Sequence, residues 1–251
     1  AAHSVHRWRD IYALTGVDFR KAFLGYTKVT DNLIWRPNIG QGSGWHIGKP
    51  NVAPRRAIDD LQLVAEKNVK GLWMDAVYGH WANQGLHYYM LAQLAWNPRA
   101  DGEAILNDYL NRAYGPAVDP MRAYWALIER TTLAMTIHNK PEAEVWDAAF
   151  HKRANELLDR AITELDGAPA KYARRVAFAR AGLTYLRLLL ENETLVNRWK
   201  QSDNTDTEAR DAAKANWEQI KSLMEEHPYM LNHAYMSWKS RRFLGKFYPA
   251  E

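Results

Sequence analysis

The spacing of hydrophobic positions changes within one stretch of the chain, residues 69–98. From Val69 to Asp75 the sequence is apolar and extended in character, and a polar, aromatic turn follows it. From Gly85 onward the apolar residues recur with the period of a helix. The positions on the predicted inner face of this helix are Leu86, Tyr89, Met90, Gln93 and Leu94. The pattern therefore predicts a buried strand that leads into a helix.

A second strand is predicted upstream, over Asn32–Arg36, where the residues are apolar and β-prone. Pro37 ends this strand because proline cannot donate a hydrogen bond to a sheet. After a long loop, a helix is predicted from Pro54 to about Lys67, ended by Asn68. A strand, a helix and a strand in this order predict a parallel pair joined by a right-handed crossover.

The remaining periodicity is helical. A helix is predicted over residues 3–14, and another after Asp18, although residues 22–26 could instead form a strand. After Pro98 every pattern is helical, and the predicted helices form an antiparallel bundle. The first covers residues 102–114 and is ended by a break at Gly115-Pro116, and the second restarts at Asp119-Pro120. Two more cover residues 141–165 and 169–200, and the last helix ends at His227-Pro228.

The small number of strands decides the fold class. A parallel pair is stable only inside a larger sheet covered by helices. Two arrangements remain open: the further strands lie in sequence outside this chain, or the helices cover an unusually small sheet. We expect the first, an α/β part followed by an all-α part and predominantly helical overall. Residues 1–98 then hold the last βα units of a (β/α)8 (TIM) barrel, and residues 99–251 a helical bundle domain.

Composition excludes several classes of function. The 251 residues contain no cysteine, so neither a disulfide nor a thiolate metal site is possible. The net charge of +4 comes from basic residues interspersed with acidic ones, which disfavours nucleic-acid binding. No apolar run is long enough to predict a membrane span. Aromatic residues make up 12% of the chain, with 11 Trp and 13 Tyr, which suits stacking on sugar rings as well as core packing.

The glycine-rich loop 38–54 does not match a nucleotide-binding motif. No helix opens behind Gly40–Gly44, and Pro50 stands where a phosphate loop needs Ser or Thr. No cofactor is therefore expected. The glycosylation sequon at Asn192–Thr194 falls inside a predicted helix, and we interpret it as a chance match.

Asp75 is the one acid at a predicted strand end. The carboxyl ends of parallel strands are the usual place for a site, so Asp75 is a candidate catalytic residue or sugar-hydroxyl acceptor, with helix capping or ion pairing as the alternative. Arg36 and Asn38 leave the other strand at the same end and are candidate substrate-binding residues. Arg36 could hold a carboxylate of the substrate or pair with Asp75.

Loop aromatics are the remaining candidates for substrate binding. Trp45, Tyr78 and Trp81 are predicted to stack on a sugar ring because they lie in loops. His46, His80 and His87 are expected to have hydrogen-bonding or structural roles, because no residue spacing in the chain indicates a metal site. Four tryptophans at periodic positions are predicted to lie in the core: Trp73, Trp96, Trp125 and Trp217.

Several motifs, in this order, resemble a bacterial family of uncharacterised glycoside-hydrolase-like proteins, similar to the α-glucuronidases and family-20-type hexosaminidases. The motifs are W-R-P-N at Trp35–Asn38, V-K-G-L-W-M-D at Val69–Asp75, H-W-A-N-Q-G-L-H-Y-Y at His80–Tyr89, A-Q-L-A-W-N-P-R-A-D at Ala92–Asp101, Y-L-N-R-A-Y-G-P-A at Tyr109–Ala117 and M-R-A-Y-W at Met121–Trp125. The resemblance implies a (β/α)8 barrel followed by a helical domain, and a carbohydrate-active enzyme encoded beside polysaccharide-utilisation genes.

The expected function follows from the motifs and the resemblance together. Hydrolysis of glycosidic bonds uses a pair of carboxylates, of which this chain supplies at most Asp75. We expect a carbohydrate substrate, the preceding barrel strands as partner, and neither nucleic acid nor membrane. The alternative is a non-catalytic helical interaction or carbohydrate-binding module. The residues do not define the compartment; a periplasmic or secreted location is favoured over a cytoplasmic one.

Overall fold

The structure is a computed structural model that describes residues 17–37, 47–74, 77–136 and 140–232. Over these residues the protein is predominantly helical, as predicted. The helix predicted over residues 3–14 lies outside them. The helices are Val17–Tyr26 (α1), Pro54–Glu66 (α2), Trp81–Trp96 (α3), Gly102–Tyr114 (α4), Val118–Thr136 (α5), Glu142–Val145 (α6), Ala148–Thr163 (α7), Ala170–Gln201 (α8) and Thr207–Glu226 (α9).

Two short strands, Ile34–Trp35 (β1) and Gly71–Leu72 (β2), form a parallel pair with Ile34 opposite Gly71. The predicted parallel pairing across α2 is confirmed. The sheet is covered less than the sequence predicted, because β2 is only half-buried and Ile34 is 69% exposed. Backbone hydrogen bonds continue beyond the strands, from Trp73 N–H to the Trp35 carbonyl at 2.9 Å.

Near the sheet, two predicted boundaries need correction. The chain forms helix α1 through residues 22–26, so the alternative of a strand there is wrong. Helix α3 begins at Trp81 and not at Gly85. The polar residues Asn83 and Gln84 resemble a turn in the sequence, but they are buried on the helix and hydrogen-bond to another segment. Gln93, predicted on the inner face, is exposed.

Local capping explains where the later helices begin. Asp101 accepts a hydrogen bond from Ala104 N–H at 3.0 Å, and α4 has the predicted bounds. Gly115-Pro116 ends α4 as predicted, with Gly115 at a φ of 52°, and a 3₁₀ turn, Gly115–Ala117, then leads into α5, which begins at Val118. The single helix predicted over 141–165 is interrupted, since Asp147 accepts from Phe150 N–H at 2.7 Å and starts α7.

The core lies between α2, α3, α4, α5, α7 and α8, and a smaller cluster joins α8 to α9. Trp125 is buried as predicted, and its Nε1 donates to the Tyr114 hydroxyl at 3.0 Å. Trp217 is partly buried in the smaller cluster. The core prediction is wrong for Trp73 and Trp96, which are 63% and 90% exposed. None of the helices described is long and apolar enough to cross a membrane.

Candidate functional site

The start of α3 is joined to the segment that follows α9. His80, fully buried just before α3, accepts at Nδ1 from Asn232 N–H at 3.2 Å. The Asn232 side-chain amide donates to the Tyr78 carbonyl at 2.6 Å. Ala82 N–H donates to the Met230 carbonyl at 3.4 Å. These bonds fix residues 78–82 against residues 230–232.

The first turns of α3 also hold the end of the glycine-rich loop. Asn83 donates to the Gly48 carbonyl at 2.9 Å, and Gln84 donates to the Lys49 carbonyl at 2.9 Å. Tyr88 donates to the Gln84 side chain at 2.5 Å, and burial raises the pKa of its hydroxyl to about 12. Gly48 has a φ of 86° and lies against Leu231. Glycine is needed at this position because the φ is positive and any Cβ would lie 2.2 Å from a methyl group of Leu231.

A buried lysine strengthens this anchorage. Lys49 is 1% exposed, and its ammonium group lies 2.8 Å from Glu142 and 3.7 Å from Glu193. The two glutamates belong to α6 and α8, which are distant in sequence. Buried charge is stable only when it is paired, so this network fixes where residues 47–51 pass between the helices.

Trp81, the first residue of α3, is 47% exposed and stands between two grooves. Its ring packs edge-on against Tyr88, with centroids 5.2 Å apart. We call one groove the tyrosine groove, which has a volume of about 330 Å³. We call the other the tail groove, which has a volume of about 390 Å³. The tyrosine groove is lined by Trp81, Ala82, Gly85, Tyr89, Tyr109, Arg112, Ala113, Tyr114, Trp125, Arg175, Phe178 and Ala179. The tail groove is lined by Gly79, Trp81, Pro228, Tyr229, Leu231 and Asn232.

The tyrosine groove combines aromatic rings with neutral hydroxyls and guanidinium groups. The rings of Tyr89 and Tyr109 lie 5.0 Å apart. Burial raises the pKa of Tyr109 and raises that of Tyr114 well above its usual value, so both hydroxyls stay protonated at neutral pH. Arg175 is held by the carbonyls of Arg112 and Ala113, at 2.7 and 3.1 Å. Such a surface suits an uncharged ring with one apolar face and a hydroxyl edge.

The structure brings three of the sequence-predicted site residues together at the start of α3: Tyr78, His80 and Trp81. The rings of Tyr78 and His80 lie 6.3 Å apart. His80 is fully buried, and its Nδ1 accepts a hydrogen bond from the backbone N–H of Asn232.

Arg36 lies at the end of β1, where its guanidinium is 5.3 Å from the ring centroid of Trp73. The other predicted site residues, Asp75, Asn38, Trp45 and His46, lie outside the described residues.

Sequence reasoning missed four residues of this region. Asn83 and Gln84 were part of a recognised motif, and their polarity at helical spacing was a usable signal. Tyr229 and Asn232 carried no local signal, because their role depends on the return of the chain to α3.

His87, nearly two turns into α3, is buried, and burial lowers its pKa to about 4. Its imidazole is therefore neutral at pH 7. Within the described ranges, no group of three or more His, Asp or Glu side chains is arranged to hold a metal ion. Asn192, in the sequon, is fully buried and donates to the Ala213 carbonyl at 3.2 Å, which agrees with a chance match.

Comparison with known proteins gives one similarity. Residues 2–126 match the model of a family described as a domain of unknown function, DUF4838. The match runs from residue 2 into α5, so it includes the start of α3 but not residues 230–232. Neither the curated proteins nor the solved structures yield a match to this sequence.

Proposed function

We propose that this chain is part of a carbohydrate-active protein that hydrolyses glycosidic bonds, and that the surface around Trp81 binds its glycan. The observation that carries the proposal is the position of Trp81. Trp81 is 47% exposed, packs edge-on against Tyr88, and borders two grooves. An exposed aromatic ring beside hydrogen-bond donors suits the apolar face and hydroxyl edge of a sugar.

The fold proposal is that β1, α2, β2 and α3 are the last βα units of a (β/α)8 barrel. The parallel pairing of β1 with β2 across α2 supports it. The exposure of Ile34 and Trp73, at 69% and 63%, supports the further proposal that polypeptide outside these 251 residues covers this sheet. Barrel strands in that polypeptide would also supply the second carboxylate, which acts with Asp75.

Glycan binding is tested by titrating this chain with fragments of cellulose, xylan, chitin and pectin. Trp81→Ala should weaken binding by roughly fivefold, since a stacked aromatic ring contributes about 1 kcal/mol beyond the area it buries. Trp96→Ala is the matched control, because Trp96 is 90% exposed at the other end of α3 and lines neither groove. An equal loss in both variants, or no binding by the unmodified chain, would refute the proposal.

The catalytic part is tested separately through Asp75. Hydrolysis of aryl glycosides is measured for this chain with and without the polypeptide proposed to complete the sheet. Asp75→Asn should abolish turnover and leave glycan binding at Trp81 intact. Turnover that is unchanged by Asp75→Asn would remove this residue from the carboxylate pair.

The alternative is a non-catalytic carbohydrate-binding module. It is favoured by the tyrosine groove, whose walls offer aromatic rings and guanidinium groups that could bind a sugar without a catalytic carboxylate. Glycan binding without hydrolysis, even with the sheet completed, would select this alternative.

A further inference from the structure

The two grooves meet at opposite edges of one indole ring. Gly79 lines the tail groove, and a Cβ added there would lie 3.7 Å from Nε1 of Trp81. Gly85 lines the tyrosine groove, and a Cβ added there would lie 3.7 Å from Cε3 of the same ring. Nε1 belongs to the five-membered ring and Cε3 to the six-membered ring. A side chain at either glycine would contact the indole, and glycine at both positions avoids that contact.

Each groove also has an aromatic side chain of its own. In the tail groove this is Tyr229, which is 75% exposed in the turn after α9. In the tyrosine groove the pair Tyr89 and Tyr109 plays this part. The Asn232 amide, bonded to the Tyr78 carbonyl, lies in the wall of the tail groove. Both volumes, about 330 and 390 Å³, fall in the range of small-ligand sites.

We propose that the ligand is a linear glycan that crosses Trp81, with one sugar ring in the tail groove beside Tyr229 and a neighbouring ring in the tyrosine groove. The inference rests on the proposed glycan binding. It adds that the ligand is at least two sugar units long and that it crosses Trp81 from one groove to the other. Sugar rings have apolar faces and hydroxyl edges. The walls of the two grooves offer aromatic faces together with amide, hydroxyl and guanidinium groups, which match these two features of a sugar. A single sugar unit fills one groove, whereas a linear chain fills both.

The experiment is a length series on this chain by isothermal titration calorimetry. The probes are the mono-, di-, tri- and tetrasaccharides of whichever of the four tested glycans binds most tightly. Affinity should rise by roughly three- to tenfold when the second groove becomes occupied, as expected for one more stacked ring. Affinity that is the same for the monosaccharide and the tetrasaccharide would overturn the inference.

Tyr229→Ala identifies which groove receives the added sugar unit. This variant should remove the rise in affinity with length and leave monosaccharide affinity within twofold. Tyr26→Ala is the matched control, because Tyr26 is 53% exposed and lines neither groove. A length dependence that survives Tyr229→Ala would overturn the assignment of the tail groove. Circular dichroism and the melting temperature establish that each variant is folded.

Gly85→Ala acts on the other groove without a steric clash, because its nearest contacts are 3.7 Å to Trp81 and 4.0 Å to the Tyr109 hydroxyl. It should weaken binding of the longer probes by narrowing the tyrosine groove, and unchanged affinity for every probe would count against this subsite. The outcomes separate the two proposals. If Trp81→Ala loses binding but affinity does not change with probe length, only the proposal of a ligand that spans both grooves is refuted. If no probe binds, glycan binding and the two-groove ligand are both refuted.

Discussion

Two glycines inside long helices, Gly85 and Gly182, should respond in opposite directions to substitution by alanine. Intrinsic propensity favours alanine at both by about 1 kcal/mol. At Gly85 the new methyl would meet atoms only at 3.7 Å and beyond, which is ordinary contact. At Gly182 it would lie 2.4 Å from Oδ1 of Asn83 and 3.0 Å from the Cβ of Ala82. Asn83 would have to move, and its bonds to the Gly48 and Gly182 carbonyls would break.

The expected magnitudes follow from these contacts. Gly85→Ala should stabilise the fold by about 0.5–1 kcal/mol and raise the melting temperature by about 1–4 °C. Gly182→Ala should destabilise it by roughly 2–4 kcal/mol, because overpacking and the loss of buried hydrogen bonds outweigh propensity. The assay is thermal and urea unfolding followed by circular dichroism. In the double variant with Asn83→Ala, the Gly182 substitution should cost less, since the clashing side chain is gone. Equal stabilisation by both single alanine substitutions would refute the packing of α3 against α8 at this point.

Two further changes concern buried titratable groups. The pKa of His87 is lowered to about 4 from 6.5, so between these pH values the unfolded chain binds a proton that the folded chain does not. The free energy of unfolding should therefore fall by about 3 kcal/mol as the pH drops from 6.5 to 4. The variant His87→Gln should lose this part of the pH dependence of stability. The same pH dependence in the variant and in the unmodified chain would contradict this assignment to His87. Lys49→Met should destabilise the fold by about 2 kcal/mol in urea unfolding because it removes the buried cation that pairs with Glu142 at 2.8 Å, whereas Glu142→Gln should cost less. Unchanged stability in Lys49→Met would show that the ion pairs contribute nothing.

Elements with local signals were predictable from the sequence. The bounds of α4 follow from the capping side chain of Asp101 and the left-handed Gly115, both of which lie beside the helix. The interruption before α7 also had a local signal, since Asp147 is a capping residue, but the continuous apolar pattern concealed it. The prediction failed at Trp96 because the last turn of α3 extends beyond the core, and periodicity does not show where the neighbouring helices end.

The site was predictable in part for the same reason. The aromatic cluster at Tyr78–Trp81 is visible in the sequence because its members are adjacent. The contacts that position it are not local, since His80 bonds to Asn232 and Asn83 bonds to Gly48 and Gly182. The start of α3 was misplaced because its polar residues face partners that only the folded chain brings near.

The attachment of residues 230–232 to the start of α3 has a consequence for how the chain can be divided. A cut at the predicted boundary after Pro98 would leave Trp81 on one fragment and Tyr229 on the other. Arg175 and Phe178 would likewise be separated from Tyr89. Each fragment would keep only part of each groove's walls, so neither fragment expressed alone should retain the recognition surface, whereas co-expression of the two should restore it.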